Sequence, residues 1–421
     1  MKVLIQQVRI ISPSSPFNGK VTDILIENGI IRQIADHISA EGAQVITHPD
    51  LHCSIGWMDI FAQFDDPGFE HKETLVSGAA AAAAGGFTDV MLVPNTNPAV
   101  SSKIQVEYIR QKAASLPINL YPIGAITKNA EGKELAEMYD MHNSGAIAFS
   151  DGIQSLQSPG ILLKALQYVL SIGATLLQVP NDKSISAHGL MNEGIMSTRL
   201  GLPGIPSIAE ELMIARDIEL LRYTGSRLHI TGVTTQKGIE LIAAAKKEGL
   251  QVSFSVTPYH AWFCDEDLVS YNTNLKVNPP LRKKEDMLAV RQAIANGTAD
   301  CIASHHVPQH WDDKECEFEY ARNGMIGLES FFGVANRYGA PLETLIEKLT
   351  VQPRELFRLE VPSLTAGTAA SLTLFAPGEE YTFEKEMIRS TSFNTPFIGQ
   401  KLKGRVIGII NKQQIVLNHF S

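Results

Sequence analysis

The chain is poor in cysteine, has no long apolar run and has no cluster of basic residues, and each shortage removes a class of protein. Its four cysteines, Cys53, Cys264, Cys301 and Cys316, lie far apart with no C-x-x-C pair, which leaves neither a zinc ribbon nor a disulfide framework. Reduced thiols in a cytoplasmic protein are the expectation. The most apolar stretch, around Gly78 to Ala84, is an alanine run ended by Gly85-Gly86, too short and too weakly hydrophobic to cross a bilayer. Lys2, Gln6, Gln7 and Arg9 interrupt the amino-terminal segment, so it lacks the apolar core of a signal peptide. Lysine and arginine total 36 against 45 acidic residues, a formal net charge of -9, and no basic run could track a phosphate backbone. Neither nucleic acid nor a membrane is an expected partner.

What is present is the composition of a folded globular protein: 44% hydrophobic, 19% charged, with 32 Gly and 21 Pro along the sequence. At 421 residues the chain exceeds what one compact core usually supports, so a large domain with a satellite is predicted.

The ends read as β structure. Val3 to Ile11, Val21 to Glu27 and Ile30 to Ile34 are strand-like, with Asn28-Gly29 supplying hairpin chemistry. Ser371 to Phe375, Arg405 to Ile410 and Gln414 to Leu417 repeat the theme, so the two termini are expected to pair. Between them short apolar strands alternate with helical segments. The strands are Met58 to Ile60, Phe87 to Val93, Leu120 to Ala125, Ala146 to Phe149, Thr175 to Val179, Arg227 to Ile230, Gln251 to Val256 and Cys301 to Ser304. Helices are predicted over Thr74 to Ala84, Ser102 to Ala114, Gly160 to Ile172, Ser207 to Tyr223, Gly238 to Lys247 and Lys284 to Ala295. The alternation predicts an α/β fold, a (β/α)8 TIM barrel over 55–360, with a small β-sandwich domain built from 1–54 and 361–421. In such a barrel, chemistry gathers where strands end.

At the end of the first barrel strand the sequence runs from Gly56-Trp57-Met58-Asp59-Ile60-Phe61-Ala62-Gln63-Phe64-Asp65 through Pro67-Gly68 to Lys72-Glu73-Thr74. This resembles the opening signature of bacterial dihydroorotases, G-x-x-D-x-H-x-H-x-R-x-P-G-x-x-x-K-E. Ala82 to Thr88, Pro94-Asn95-Thr96-Asn97-Pro98, Met191 to Gly194, Asn278-Pro279-Pro280-Leu281-Arg282, Gly327-Leu328-Glu329 and Ser392 to Phe397 with Gly399 and Gly404 resemble further blocks of that family. The resemblance implies an amidohydrolase barrel that opens or closes the cyclic amide of dihydroorotate with Zn²⁺.

The frame is kept and its contents are changed. Phe61 and Gln63 stand where the family has two metal-binding histidines, and Asp65 where it has an arginine for the substrate carboxylate. Gln178 replaces a histidine ligand, Gly232 another, and His305 the aspartate that is ligand and general base; Gln309 replaces a substrate-facing histidine. Asp151 is the one carboxylate retained, a candidate residual ligand. One carboxylate does not hold a catalytic Zn²⁺, which takes three protein ligands and an open position, so no metal or other cofactor is expected. His305 and His306 beside Asp151 would suggest a rebuilt metal site, but neighbours on a strand point to opposite faces. A polar, hydrogen-bonded barrel mouth is expected instead, with His229, His260 and His310 structural or solvent-facing. Asn95, Asn278 and His306 are candidate substrate-facing groups, whereas Asp65 would repel a substrate carboxylate. Cys301, inside a strand, reads as a buried apolar residue.

Three functions follow. The first is a non-catalytic dihydroorotase-like protein of pyrimidine biosynthesis, the resemblance implying assembly with aspartate carbamoyltransferase and a homo-oligomer. The second is an active cyclic amidohydrolase with an altered or absent metal, using His305 as base with support from Asp151. The third is a sensor that binds a pathway metabolite without converting it.

Overall fold

In the computed structural model, which describes residues 1–13 and 15–418, the chain begins with five strands: β1 (Lys2–Ile10), β2 (Val21–Glu27), β3 (Ile30–Ala35), β4 (Gln44–Ile46) and β5 (His52–Ile55). The β2–β3 turn is Asn28-Gly29 with φ of 49° and 74°, the paired left-handed geometry that a two-residue hairpin requires. After Gly56 the chain enters β6 (Trp57–Ala62), β7 (Phe87–Leu92), β8 (Asn119–Gly124), β9 (Ala148–Phe149) and β10 (Thr175–Gln178). A short pair, β11 (Met191–Asn192) and β12 (Gly204–Ile205), sits in the following loop. Then come β13 (Leu228–Thr231), β14 (Val252–Val256) and β15 (Cys301–Ile302), and finally β16 (Leu372–Thr382), β17 (Lys401–Asn411) and β18 (Gln414–Leu417).

The terminal strands form one sheet in the order β18-β17-β16-β5-β1-β2-β3, with β4 against β1. The expected sandwich takes the form of a single curled sheet: Ile31 N donates to Thr368 O and Ala370 N to Gly29 O, so the β3 edge meets the segment entering β16. Val3, Ile5, Ile24, Ile26, Cys53, Leu372 and Leu374 fill the enclosed core. β4 and β5 were not anticipated, because three and four residues are too few to display a periodic pattern.

The barrel strands run parallel in the order β15-β14-β13-β10-β9-β8-β7-β6. First and last are joined at the mouth, where Ala62 bridges His306 and Gln63 N donates to His306 O at 2.8 Å. Below them Asp59 accepts from Ser304 N at 2.7 Å and Ser304 Oγ at 2.6 Å. All six predicted helices form, within two residues of their expected ends. The alanine run is helix Leu75–Ala84, whose Gly78 is obligatory because a Cβ there would lie 2.6 Å from the Phe64 ring. Small residues here are packing. Short helices after β15, Leu342–Leu349 and Val351–Leu356, were not foreseen; the second places Arg354 against Asp89 at 2.5 Å, a buried ion pair under β7. Among the described residues no helix is long and apolar enough to cross a membrane.

Candidate functional site at the barrel mouth

A cavity of about 430 Å³ opens at the carboxyl ends of the barrel strands. Of the residues singled out in the sequence, it is lined by Gln63, Asp65, Asn95, Asn278, His305 and Gln309. Phe61, Asp151, Gln178, Gly232 and His306 lie in the wall behind that lining, each tied to a structural neighbour.

His305 is the centre of the rearrangement. Its backbone turns to φ 44° as the chain leaves β15, and its ring stacks on Phe61 with centroids 4.4 Å apart. Gly232 makes the room: a Cβ there would stand 2.6 Å from His305 Cε1, and its φ of 71° favours glycine as well. The His305 Nε2 is paired with Thr231 Oγ1 at 2.8 Å, in a chain that continues through Ser255 Oγ at 2.8 Å to His229 Nε2 at 3.1 Å. Burial, aided by the neighbouring His260 and His229, pushes His305 down to about 3. A base of that strength takes a proton poorly near neutral pH. His229 and His260 are likewise pushed down to about 3, chiefly by burial.

Asp151 is turned away from the cavity. Thr127 N donates to Oδ1 at 2.9 Å and Thr127 Oγ1 to Oδ2 at 2.6 Å, which commits both carboxylate oxygens, and burial raises its pKa. Gln178 closes on the backbone of Leu156, accepting from its N at 3.2 Å and donating to its O at 3.3 Å. Asn95 latches the loop after β9, donating to Asp151 O at 3.0 Å and accepting from Ile153 N at 2.9 Å. Gln309 accepts from Lys72 Nζ at 2.8 Å and donates to Asn323 O at 2.8 Å.

His306 points away from its neighbour, the left-handed turn at His305 having ended the strand before it. Its Nδ1 accepts from Gly327 N at 3.2 Å, so the proton sits on Nε2, 3.5 Å from Glu73 Oε2. Burial alone would raise the Glu73 carboxyl, but His306, Ser390 and Ser77 together hold it below its ordinary value. Asp65, by contrast, is pushed up to about 7 by burial, against the opposing pull of Gln63 and Lys72.

These side chains do not fit a zinc centre. The positions that would supply imidazole carry a phenyl ring, two amides and a bare backbone, and the imidazole at position 305 spends Nε2 on Thr231. Among the described residues no three His, Cys, Asp or Glu side chains are grouped to hold a metal ion.

Comparison with known proteins places the chain. A model of the family described as Dihydro-orotase-like matches residues 54–238. A dihydroorotase of Syntrophus aciditrophicus is 38% identical over 99% of both chains, and one of Pelotomaculum thermopropionicum is 39% identical over 96% of both. The chain belongs to the dihydroorotase family. Its fold is shared with an L-hydantoinase (dihydropyrimidinase) from Arthrobacter aurescens, at a TM-score of 0.86 and 22% identity over 99% of this chain and 96% of that one.

Within the dihydroorotase frame, four residues beyond the candidate positions shape the site: Thr127, Thr231, Lys72 and Glu73 hold Asp151, His305, Gln309 and His306. Lys72 and Glu73 are the K-E pair of the opening signature, a signal present in the sequence. Nothing local marks the two threonines, which matter only because distant strands converge on them.

Proposed function

We propose that this dihydroorotase-family chain is a catalytically inactive member of the pyrimidine-biosynthetic group that serves as a structural partner of aspartate carbamoyltransferase. The observation that carries the inactive reading is the Phe61–His305–Gly232 packing: one ring fills the space another ligand would need, and its partner is a hydrocarbon. A catalytic zinc site needs at least three donors with an open position, and among the described residues no three His, Cys, Asp or Glu side chains form such a set. The partner reading rests on the resemblance to non-catalytic dihydroorotase-like chains, and it explains why a barrel would be kept without its metal positions.

The competing reading, a working cyclic amidohydrolase, has two supports: curated relatives near 38% identity carry the name dihydroorotase, and the mouth retains a cavity large enough for a small ring. Against it stand the weak basicity of His305 and the commitment of Asp151 to Thr127. Elemental analysis of the purified protein, turnover assays with dihydroorotate and N-carbamoyl-aspartate, and sedimentation with aspartate carbamoyltransferase separate the two. The expected result is no stoichiometric zinc, no turnover and a stable complex. One zinc per chain with measurable turnover defeats the inactive reading, and failure to co-sediment defeats the partner reading.

A further inference from the structure

Beside the barrel mouth, and sharing Gln309 with it, lies another cavity of about 310 Å³, between the loop that follows β15 and the closing segment around Phe393. Four rings border it: His71, His310, Trp311 and Phe393. His71 and His310 meet at 5.8 Å and 66°, and His310 and Trp311 at 5.6 Å and 47°, so three of the rings form one continuous aromatic edge. Trp311 is 61% exposed and Phe393 45%; two large rings left open around one hollow have the composition of an interface centre, not of scattered surface residues. The Phe393 ring already carries the Lys385 ammonium, 4.6 Å from its centroid, whereas Trp311 has no cation over its face among the described residues.

The charge around the cavity selects its occupant. The run 312–319 holds five carboxylates, Asp312, Asp313, Glu315, Glu317 and Glu319, against one lysine. Asp313 is met by Lys72 at 3.4 Å and Arg322 at 3.7 Å. Among the described residues Asp312 meets only His310, at 3.4 Å, and the exposed carboxylates of Glu315, Glu317 and Glu319 enter no hydrogen bond or ion pair. Lys314 does not offset them: it is turned inward, its Nζ donating to Arg322 O at 2.7 Å and Thr273 O at 2.9 Å, and burial pushes it down to about 7. We propose that this face docks a basic segment of a partner protein, an arginine guanidinium stacked on Trp311 and neighbouring cations set against Glu315, Glu317 and Glu319. Arginine suits the place because its planar, weakly hydrated guanidinium stacks on aromatic rings. An acidic segment or a phosphate backbone would meet like charge, and a purely apolar one would strip water from carboxylates without replacing it. The inference goes beyond the partner-subunit reading, since it assigns a face and a chemistry whichever protein carries the segment.

The test titrates the full chain into three dye-labelled heptapeptides, in which arginine, leucine or glutamate alternates with glycine, and follows fluorescence anisotropy. The arginine peptide is expected to bind, more weakly as salt is raised, and the leucine and glutamate peptides at least tenfold more weakly. Trp311→Ala should weaken the arginine peptide at least tenfold, and so should Glu315→Gln, Glu317→Gln and Glu319→Gln combined; all four side chains are exposed, so the core is untouched. Glu41→Gln, exposed on the terminal sheet domain, should leave binding unchanged and so separates this face from a general attraction to an acidic protein. The proposal is overturned by absence of binding of the arginine peptide, by the leucine or glutamate peptide matching it, by wild-type affinity in Trp311→Ala or in the triple variant, or by Glu41→Gln weakening binding as much as the triple variant does.

Discussion

Replacing Gly232 by alanine tests the packing on which the loss of the metal positions depends. Its φ of 71° lies in the left-handed region, which costs a residue with a Cβ about 1–2 kcal/mol. The new methyl would stand 2.6 Å from His305 Cε1, and the ring has nowhere to go, with Phe61 stacked at 4.4 Å and Thr231 holding Nε2 at 2.8 Å. Overpacking of that kind adds about 1–3 kcal/mol. The expected destabilisation is therefore about 2–5 kcal/mol, read as a lowered urea midpoint at unchanged slope. In a His305→Ala background the steric part disappears and only the backbone part persists, so the same substitution should cost about 1–2 kcal/mol there. A Gly232→Ala protein within about 0.5 kcal/mol of wild type, or an equal penalty in both backgrounds, refutes the reasoning.

Restoring one family histidine should not restore the metal: Phe61→His is expected to take up less than one equivalent of zinc in competition with a chromophoric chelator, since Gln178 and Gly232 still withhold their donors, and a tight one-to-one complex would contradict this. Arg354→Met leaves Asp89 buried without its guanidinium partner, and denaturation should show a loss of about 3–5 kcal/mol; a loss under about 1 kcal/mol would mean the pair is dispensable. Asp65 is a carboxyl whose folded pKa, about 7, lies above its ordinary value of 3.8, so folding favours its protonated form. That contribution is complete below pH about 4 and is lost as pH rises through about 7, with a slope of at most about 1.4 kcal/mol per pH unit. Wild type should lose stability relative to Asp65→Asn across that window, and a pH-independent difference between the two would show that the carboxyl is not raised.

Much of the architecture was legible because long-period signals survive in a single chain. Eight apolar runs alternating with six helical patterns were enough to predict the barrel, and Asn28-Gly29 alone marked the hairpin whose two positive φ angles the structure contains. What escaped was short. The strands β4 and β5 have three and four residues, and β5 nonetheless lies between β1 and β16 at the middle of the terminal sheet. The helix Val351–Leu356 escaped for the same reason, and with it the Arg354–Asp89 pair.

The site divides in the same way. Residue identity alone determined which donors the mouth lacks, because a phenyl ring at 61, amides at 63 and 178 and a hydrogen at 232 cannot act as imidazole in any fold. Tertiary structure decided where the remaining polar groups went: His305 into the space beside Gly232, Asp151 onto Thr127, His306 onto Glu73, and Asp65 into a buried floor beside Gln63. Except for the local Gln63–Asp65 pair, those pairings join residues 24 to 233 positions apart, and such contacts form only when strands distant in the chain close into one barrel.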